Sequence, residues 1–378
     1  MAARGPLVVV SLRGGMDGLS ILVPAGDPAY HAARPSLAVD DKKVLPADTR
    51  FGWHPSAPRL AELFRAGMVA AVPASGIAGQ LRSHFVAQAQ LEAGGTAAAT
   101  AGSGWLGRYL AATEGAEPAP LRAVSVGTIA LPRSLYGTGD AMAVTNPGML
   151  RLGTIDKQRV LPAKFVPDTA RLATAWTGAR PQAAAVGAQA ALKVLQRVTA
   201  TPIRSPELEQ FRGTPKGAFF EFTTAFLEAG LGTELINIDF SGWDTHSEQG
   251  TNDGILQRAI AELDTDIGYL VDRHVGKGAG LTILVITEFG RRVAENSSRG
   301  TDHGRGGLAM LIGDHVAGGV AGHWPGLVDL DNGDVQAVND VRQLQAEVLT
   351  DLLGVADTEV AKILPGHQSE TRLGLFKA

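Results

Sequence analysis

The sequence predicts an α/β fold, a doubly wound and mostly parallel sheet with helices on both faces, and three observations carry that prediction. Apolar runs without polar alternation recur at 7–12, 68–72, 234–240, 281–287 and 308–312, and such runs fit strands buried on both faces. Segments with helical spacing fall between and after them, at 56–67, 83–91, 252–273, 339–353 and 357–363. Strand and helix alternate at both ends of the chain, which is the pattern of helices wound around a sheet.

The first run, Leu7 to Leu12, breaks at a turn, Arg13-Gly14-Gly15-Met16-Asp17-Gly18. The helix over 56–67 places Leu60, Leu63 and Phe64 on one face and stops at Gly67. Ser83 to Leu91 reads as a helix after a Gly-rich turn, and 94–104, rich in Gly, Ala, Thr and Ser, as a loop. Residues 105–165 hold short elements and many turns, while 168–200 and 205–230 are Ala-rich and helical in pattern. The expected organisation is one α/β domain over 1–378 with a helical cap inserted at about 105–230.

Composition narrows the function classes. The 378 residues are 45% apolar with a formal net charge of −4, and no basic stripe interleaved with aromatics argues for nucleic acid. The opening apolar run is too short for an export signal or a membrane span, so the sequence as given reads as cytoplasmic and without a transmembrane segment. With no cysteine there is no disulfide, thiolate zinc site or cysteine nucleophile. Neither G-x-G-x-x-G nor a P-loop lysine follows the first strand.

Ligands of open α/β sheets bind beyond the carboxyl ends of the strands, so the residues there matter most. Asp17 follows the first strand; it is either a turn residue bonding its own backbone or a metal carboxylate. Asp244 and His246 follow the run at 234–240 and either offer oxygen and imidazole nitrogen, the donors a hard or borderline cation takes, or belong to a hydrogen-bonded loop with His246 on the surface. Glu288 follows the run at 281–287, with Arg291 or Arg292 placed to hold an anionic oxygen by a bidentate contact; the alternative is a helix N-terminal Glu with surface arginines. Asp302 and His303 sit among glycines just before the run at 308–312, and packing does not explain them; either is a ligand with the other behind it. Ser83 opens a helix, where it is an N-cap or a nucleophile in an anion-holding site, and His84 beside it is a ligand, a base or a core histidine.

In order along the chain, Leu12 to Leu19, Arg82 to Phe85, Gly242 to His246, Thr287 to Arg291 and Thr301 to Gly304 resemble the domain-of-unknown-function 1501 family, placed in the alkaline phosphatase and sulfatase superfamily. That resemblance implies an alkaline phosphatase-like fold and metal-assisted attack on a phosphate or sulfate ester. It implies that Asp17, Asp244, His246, Glu288, Asp302 and His303 hold one or two divalent ions (Zn, Mg, Mn or Ca). Ser83 is then the closest match to the nucleophile, with His84, Arg291 and Arg305 around a small anionic ester. Two departures stand out: Asp244 and His246 are closer together than the superfamily's pair, and Glu288-Phe289 stands where an Asp-His dipeptide is usual. They motivate an alternative, a relative that keeps the fold as a binding or scaffold protein without turnover.

Overall fold

The computed structural model describes residues 5–77, 79, 82–95, 100, 102–113, 122–128, 130–138, 141–144, 217–228, 232–277, 280–367 and 371–377. Backbone contacts divide the chain into two compact units, one of Met1–Thr113, Pro132–Thr138 and Asn237–Ala378, the other of Glu114–Leu131 and Gly139–Ile236.

The first unit begins with β1 (Leu7–Arg13), α1 (Gly18–Ile21), β2 (Leu22–Val23), α2 (Pro28–Ala33), β3 (Leu45–Pro46), β4 (Gly52–Trp53) and α3 (Pro58–Arg65). It continues through β5 (Val69–Gly76), α4 (His84–Ala93) and α5 (Trp105–Ala112). The second unit holds β6 (Ala123–Val126), β7 (Ala141–Val144) and α6 (Gly217–Glu228). Then come β8 (Leu235–Ser241), α7 (Ile255–His274), β9 (Thr282–Ile286), β10 (Gly307–Gly313), β11 (Gly319–Val320) and β12 (Asn339–Asp340). The chain closes with α8 (Val341–Glu347), a π-helical turn over Val348–Leu352, and α9 (Asp357–Ile363).

Strands of the first unit lie in the order β11-β5-β10-β9-β1-β8, with β12 also beside β5. The sheet is mixed and mostly parallel. β1 runs parallel to β9, Leu7 opposite Thr282 through Ser11 opposite Ile286. β11 and β12 run parallel to β5, and β10 alone runs antiparallel to both of its neighbours, β5 and β9. Side chains on both faces of these strands are buried, as the unalternating runs require: Leu7, Val8, Val10 and Leu12 of β1 and Ile283, Leu284 and Val285 of β9 are fully enclosed. β2, β4 and β3 form a separate small antiparallel sheet.

The strand directions create the site. β5 and β9 both oppose β10 and therefore run the same way as β1. The carboxyl ends of β1, β5 and β9 open on one edge, and β10 leaves that edge by its amino end. The loop after β8 arrives at the same place, since the Trp243 amide donates to the Arg13 carbonyl at 3.2 Å. The reversal of β10 has a simple cause: no helix lies between β9 and β10, and parallel neighbours need a crossover, usually helical, that this connection does not contain.

Long α7 buries Leu256, Ile260, Leu263, Ile267 and Leu270 along one stripe. Its Asp264 accepts the Arg59 and Leu60 amides at 3.0 and 2.7 Å, tying α7 to the otherwise uncapped start of α3. Within the second unit β6 and β7 pair in parallel, Ala123 opposite Ala141 through Val126 opposite Val144, and Arg122 donates to Glu234 at 2.8 Å. Most of the helical pattern expected over 168–200 and 205–230 lies outside the described residues; α6 is its described part. No described helix is long and apolar enough to cross a membrane.

Candidate metal centre

Two glycines let the strand-end loops close on one another. Gly14, at φ +123°, leaves no room for a Cβ, which would strike the Asp244 amide. A Cβ on Gly300 would collide with the His246 carbonyl group. The turn after β1, the loop after β8 and the loop before β10 therefore pack backbone to backbone, bringing their side chains to one point.

Four side chains meet there. His246 Nε2 lies 2.9 Å from His303 Nε2 and 3.1 Å from Asp244 Oδ1. His303 Nε2 lies 3.3 Å from the same oxygen, and His84 Nε2, from the first turn of α4, 3.5 Å from Asp244 Oδ2. Donor atoms of His84, Asp244 and His303 all stand within 4.8 Å of one another. In a tetrahedral shell of about 2.0–2.1 Å radius, donors stand about 3.3 Å apart.

The opposite ring nitrogens settle what these atoms are. His84 Nδ1 donates to Glu288 Oε1 at 2.8 Å, His303 Nδ1 to the Arg82 carbonyl at 3.0 Å, and His246 Nδ1 to Asp302 Oδ1 at 3.2 Å. A carbonyl and two carboxylates can only accept, so each Nδ1 carries a proton and each Nε2 turns inward, where an imidazole without a second proton offers a lone pair. Lone pairs 2.9 Å apart repel unless something positive lies between them. His84 Nε2 is moreover buried without a hydrogen-bond partner. This donor set, three imidazoles and one carboxylate with each ring oriented by an outer acceptor, fits a divalent cation.

Phe289 braces the imidazoles, its ring centroid 4.9 Å from that of His84 and 4.7 Å from that of His303. The cluster remains open to solvent on one side, with the Asp244 side chain 48% exposed. Burial works to raise the Asp244 pKa, but the hydrogen bond and charge of Arg291 outweigh it, and the carboxyl is held below the usual range. Burial likewise pushes His303 below the usual histidine range, against the Arg82 carbonyl and Asp244, which favour its charged form.

The other acids singled out in the sequence take different places. Glu288 stands behind His84 rather than in the cluster: besides His84, its Oε1 accepts from the Gly14 amide at 2.9 Å and Gln88 at 3.1 Å. Burial raises its pKa, yet hydrogen bonds from its own amide, Gln88, His84 and Gly14 prevail and keep it ionised. Asp302 stands behind His246 and also accepts from Asn296 at 3.0 Å, which, with His246, holds its pKa down. Asp17 is fully buried against Arg34, at 2.6 and 3.0 Å, and turns its carboxylate to that guanidinium, Ser20 and Gln249.

Arg291 is also enclosed. Its Nε donates to the Gly15 carbonyl at 2.5 Å, Nη1 to Thr301 at 2.6 Å, and Nη2 to the Gly14 and Trp243 carbonyls and to Asp244 Oδ1 at 2.6 Å. Its donors thus bind three loops together. Arg305 donates to Asp331 at 2.6 Å and lies beside buried Asp334, which Arg82 also pairs with. Ser83 is the N-cap residue of α4, but its hydroxyl makes no capping hydrogen bond. Sequence reasoning passed over Arg34, Gln88, Gln249, Phe289 and Asn296; only contacts across the fold reveal their parts.

The family model "Protein of unknown function (DUF1501)" matches residues 69–371, and the chain belongs to that family. No curated protein shows significant sequence similarity to it. Among solved structures, the fold is similar to the C-terminal periplasmic domain of EcEptC from Escherichia coli in complex with Zn, at 11% identity and TM-score 0.38, over 97% of this chain and 89% of that one. It is similar to alkaline phosphatase from the Antarctic bacterium TAB5, at 10% identity and TM-score 0.38, over 97% of this chain and all of that one. It is also similar to BT1596, a 2-O GAG sulfatase, at 10% identity and TM-score 0.35, over 97% and 76% of the two chains.

Proposed function

We propose that this chain is a metal-dependent hydrolase or transferase acting on a phosphate or sulfate ester, its cation held by Nε2 of His84, His246 and His303 and the carboxylate of Asp244. One observation carries the reading: three imidazoles turn lone pairs toward one carboxylate, and each is locked in that tautomer by an acceptor on its far side. A divalent cation supplies Lewis acidity there, drawing charge from an ester oxygen and lowering the pKa of a neighbouring hydroxyl or water. Ser83 supports the nucleophile role because its hydroxyl is free of the helix cap and its neighbour is His84. Glu288 and Asp302 orient the imidazoles, and Arg291 holds Asp244 in place.

A second reading, a cation-binding protein without turnover, is favoured by the arginines. The donors of Arg291 are engaged by protein oxygens and Arg305 is paired with Asp331, so neither stands ready for charge developing on a substrate. One experiment separates the two. The metal content of the purified chain is measured, then release of phosphate and of sulfate from aryl esters, with Ser83→Ala and Asp244→Asn alongside. The hydrolase reading expects metal-dependent release that both variants lose. Metal bound without release of either anion supports the second reading, and full activity in both variants refutes the assignment.

A further inference from the structure

Catalytic clamps for phosphate esters commonly use two cations about 3.5–4 Å apart. The centre described above accounts for one. We infer that this chain carries a single cation, and that the Arg34 guanidinium, fixed on Asp17, permanently withholds that acid from any second one. The inference rests on the cation site proposed above and deepens it.

Saturation of the acids is the argument. A carboxylate has about four lone-pair sites. Asp17 Oδ2 accepts from Arg34 Nη1 at 2.6 Å, Ser20 at 2.7 Å and Gln249 at 2.8 Å, and Oδ1 accepts from Arg34 Nη2 at 3.0 Å. Arg34 is equally committed: Nε donates to the Val293 carbonyl at 2.8 Å, Nη1 also to Ser20 at 3.1 Å, and Nη2 also to the Arg292 carbonyl at 3.0 Å. Its five N–H groups meet five acceptors, and both side chains are fully buried. A cation entering this pair would have to displace a bidentate guanidinium and strand it without water, and breaking such a buried pair is strongly destabilising.

No other acid makes up the set. Glu288 receives Gly14, His84 and Gln88 on Oε1 and Thr287 on Oε2. Asp302 receives His246 and Asn296 on Oδ1, and its side chain is largely exposed to solvent. Among the described residues, His84, Asp244 and His303 form the cluster of three or more metal-type donors, joined by His246.

The test counts ions. The full chain is stripped with chelator, reloaded with Zn²⁺ in excess, passed through gel filtration and analysed for metal per chain, with a calorimetric titration in parallel. One ion per chain is expected. Asp17→Asn should still bind one ion, with a dissociation constant changed less than tenfold, while its melting temperature falls. Two ions per wild-type chain overturn the inference and leave the cation site standing, whereas no bound ion overturns the site and the inference together. Folded Asp17→Asn that has lost its ion also overturns the inference, and should that variant not fold, the wild-type count alone decides.

Discussion

Glu288 gives the sharpest test of how the imidazoles are aimed. Glu288→Gln keeps the shape of the side chain and removes its charge. In the native chain Oε1 accepts the His84 Nδ1 proton at 2.8 Å, the Gly14 amide at 2.9 Å and a Gln88 amide proton at 3.1 Å, in a position only 2% exposed. Hydrogen bonds to a charged group contribute about 1.5–3 kcal/mol and neutral ones about 0.5–1.5, so the bond to His84 alone should weaken by about 1–1.5 kcal/mol. That is about tenfold in affinity. The new amide can keep its oxygen toward these three donors only by placing its NH2 where Oε2 accepts from Thr287, which loosens the ring further and places the expected loss of metal affinity at about 10–100-fold. The assay is competition for Zn²⁺ between the stripped chain and a chromophoric chelator at fixed pH, with the melting temperature of the apo form recorded beside it. A Glu288→Gln chain that melts lower yet binds Zn²⁺ within twofold of wild type would refute the reasoning, because Glu288 would then support the fold and not the ring.

Other outcomes follow from the same geometry. Gln249 is fully buried and joins both ligand loops, accepting from Thr245 at 2.9 Å and Thr301 at 2.7 Å while donating to Asp17 at 2.8 Å; Gln249→Met should lower unfolding free energy by about 2–4 kcal/mol, measured by urea denaturation, and weaken Zn²⁺ binding in the same titration. Gly300→Ala puts a methyl group against the His246 carbonyl, so it should reduce Zn²⁺ affinity by at least about tenfold with little change in far-ultraviolet circular dichroism. Burial pushes the Asp264 pKa up to about 6, against the amides of Leu60 and Arg59 and the charge of Arg59, with Glu62 adding to the rise. The folded state therefore holds a proton that the unfolded chain releases, and stability should rise as pH falls from 7 through 6 toward 4, by at most about 1.4 kcal/mol per unit; Asp264→Asn should flatten that slope in urea titrations.

Much of the sheet was legible because burial on both faces leaves a plain mark. Val8 to Val10 and Ile283 to Val285 have nothing polar among them, and both became central parallel neighbours. Direction was the harder part, since an apolar run such as Leu308 to Ile312 carries none. The clue lay in what separates it from β9, some twenty residues of glycine, arginine and polar side chains with no helical spacing, which is too irregular for the crossover that a parallel neighbour would need. Strands of two residues and the helix at Trp105–Ala112 escaped the reading because their stability comes from contacts made elsewhere, such as the Gly104 amide donating to the Tyr136 carbonyl at 3.0 Å.

Within the site, the sequence located the right loops but could not say which acids remain free for a cation, because that depends on arginines far away in the chain. Asp17 and Asp244 look alike as acids at strand ends. Arg34, seventeen residues after Asp17, closes over it completely, whereas Arg291 reaches Asp244 from one side and leaves 48% of that side chain open. The same comparison separates the histidines: His84, read from sequence as a ligand, a base or a core histidine, points Nε2 inward because Glu288 lies behind it. An acid here is open to the proposed cation where it faces the imidazole Nε2 atoms, as Asp244 does, and acts through another group where it faces an Nδ1 or a guanidinium. What each acid faces, rather than its place at a strand end, divides the six acidic and histidine candidates. Asp244, His246 and His303 face the centre, Glu288 and Asp302 aim the rings, and Asp17 anchors Arg34.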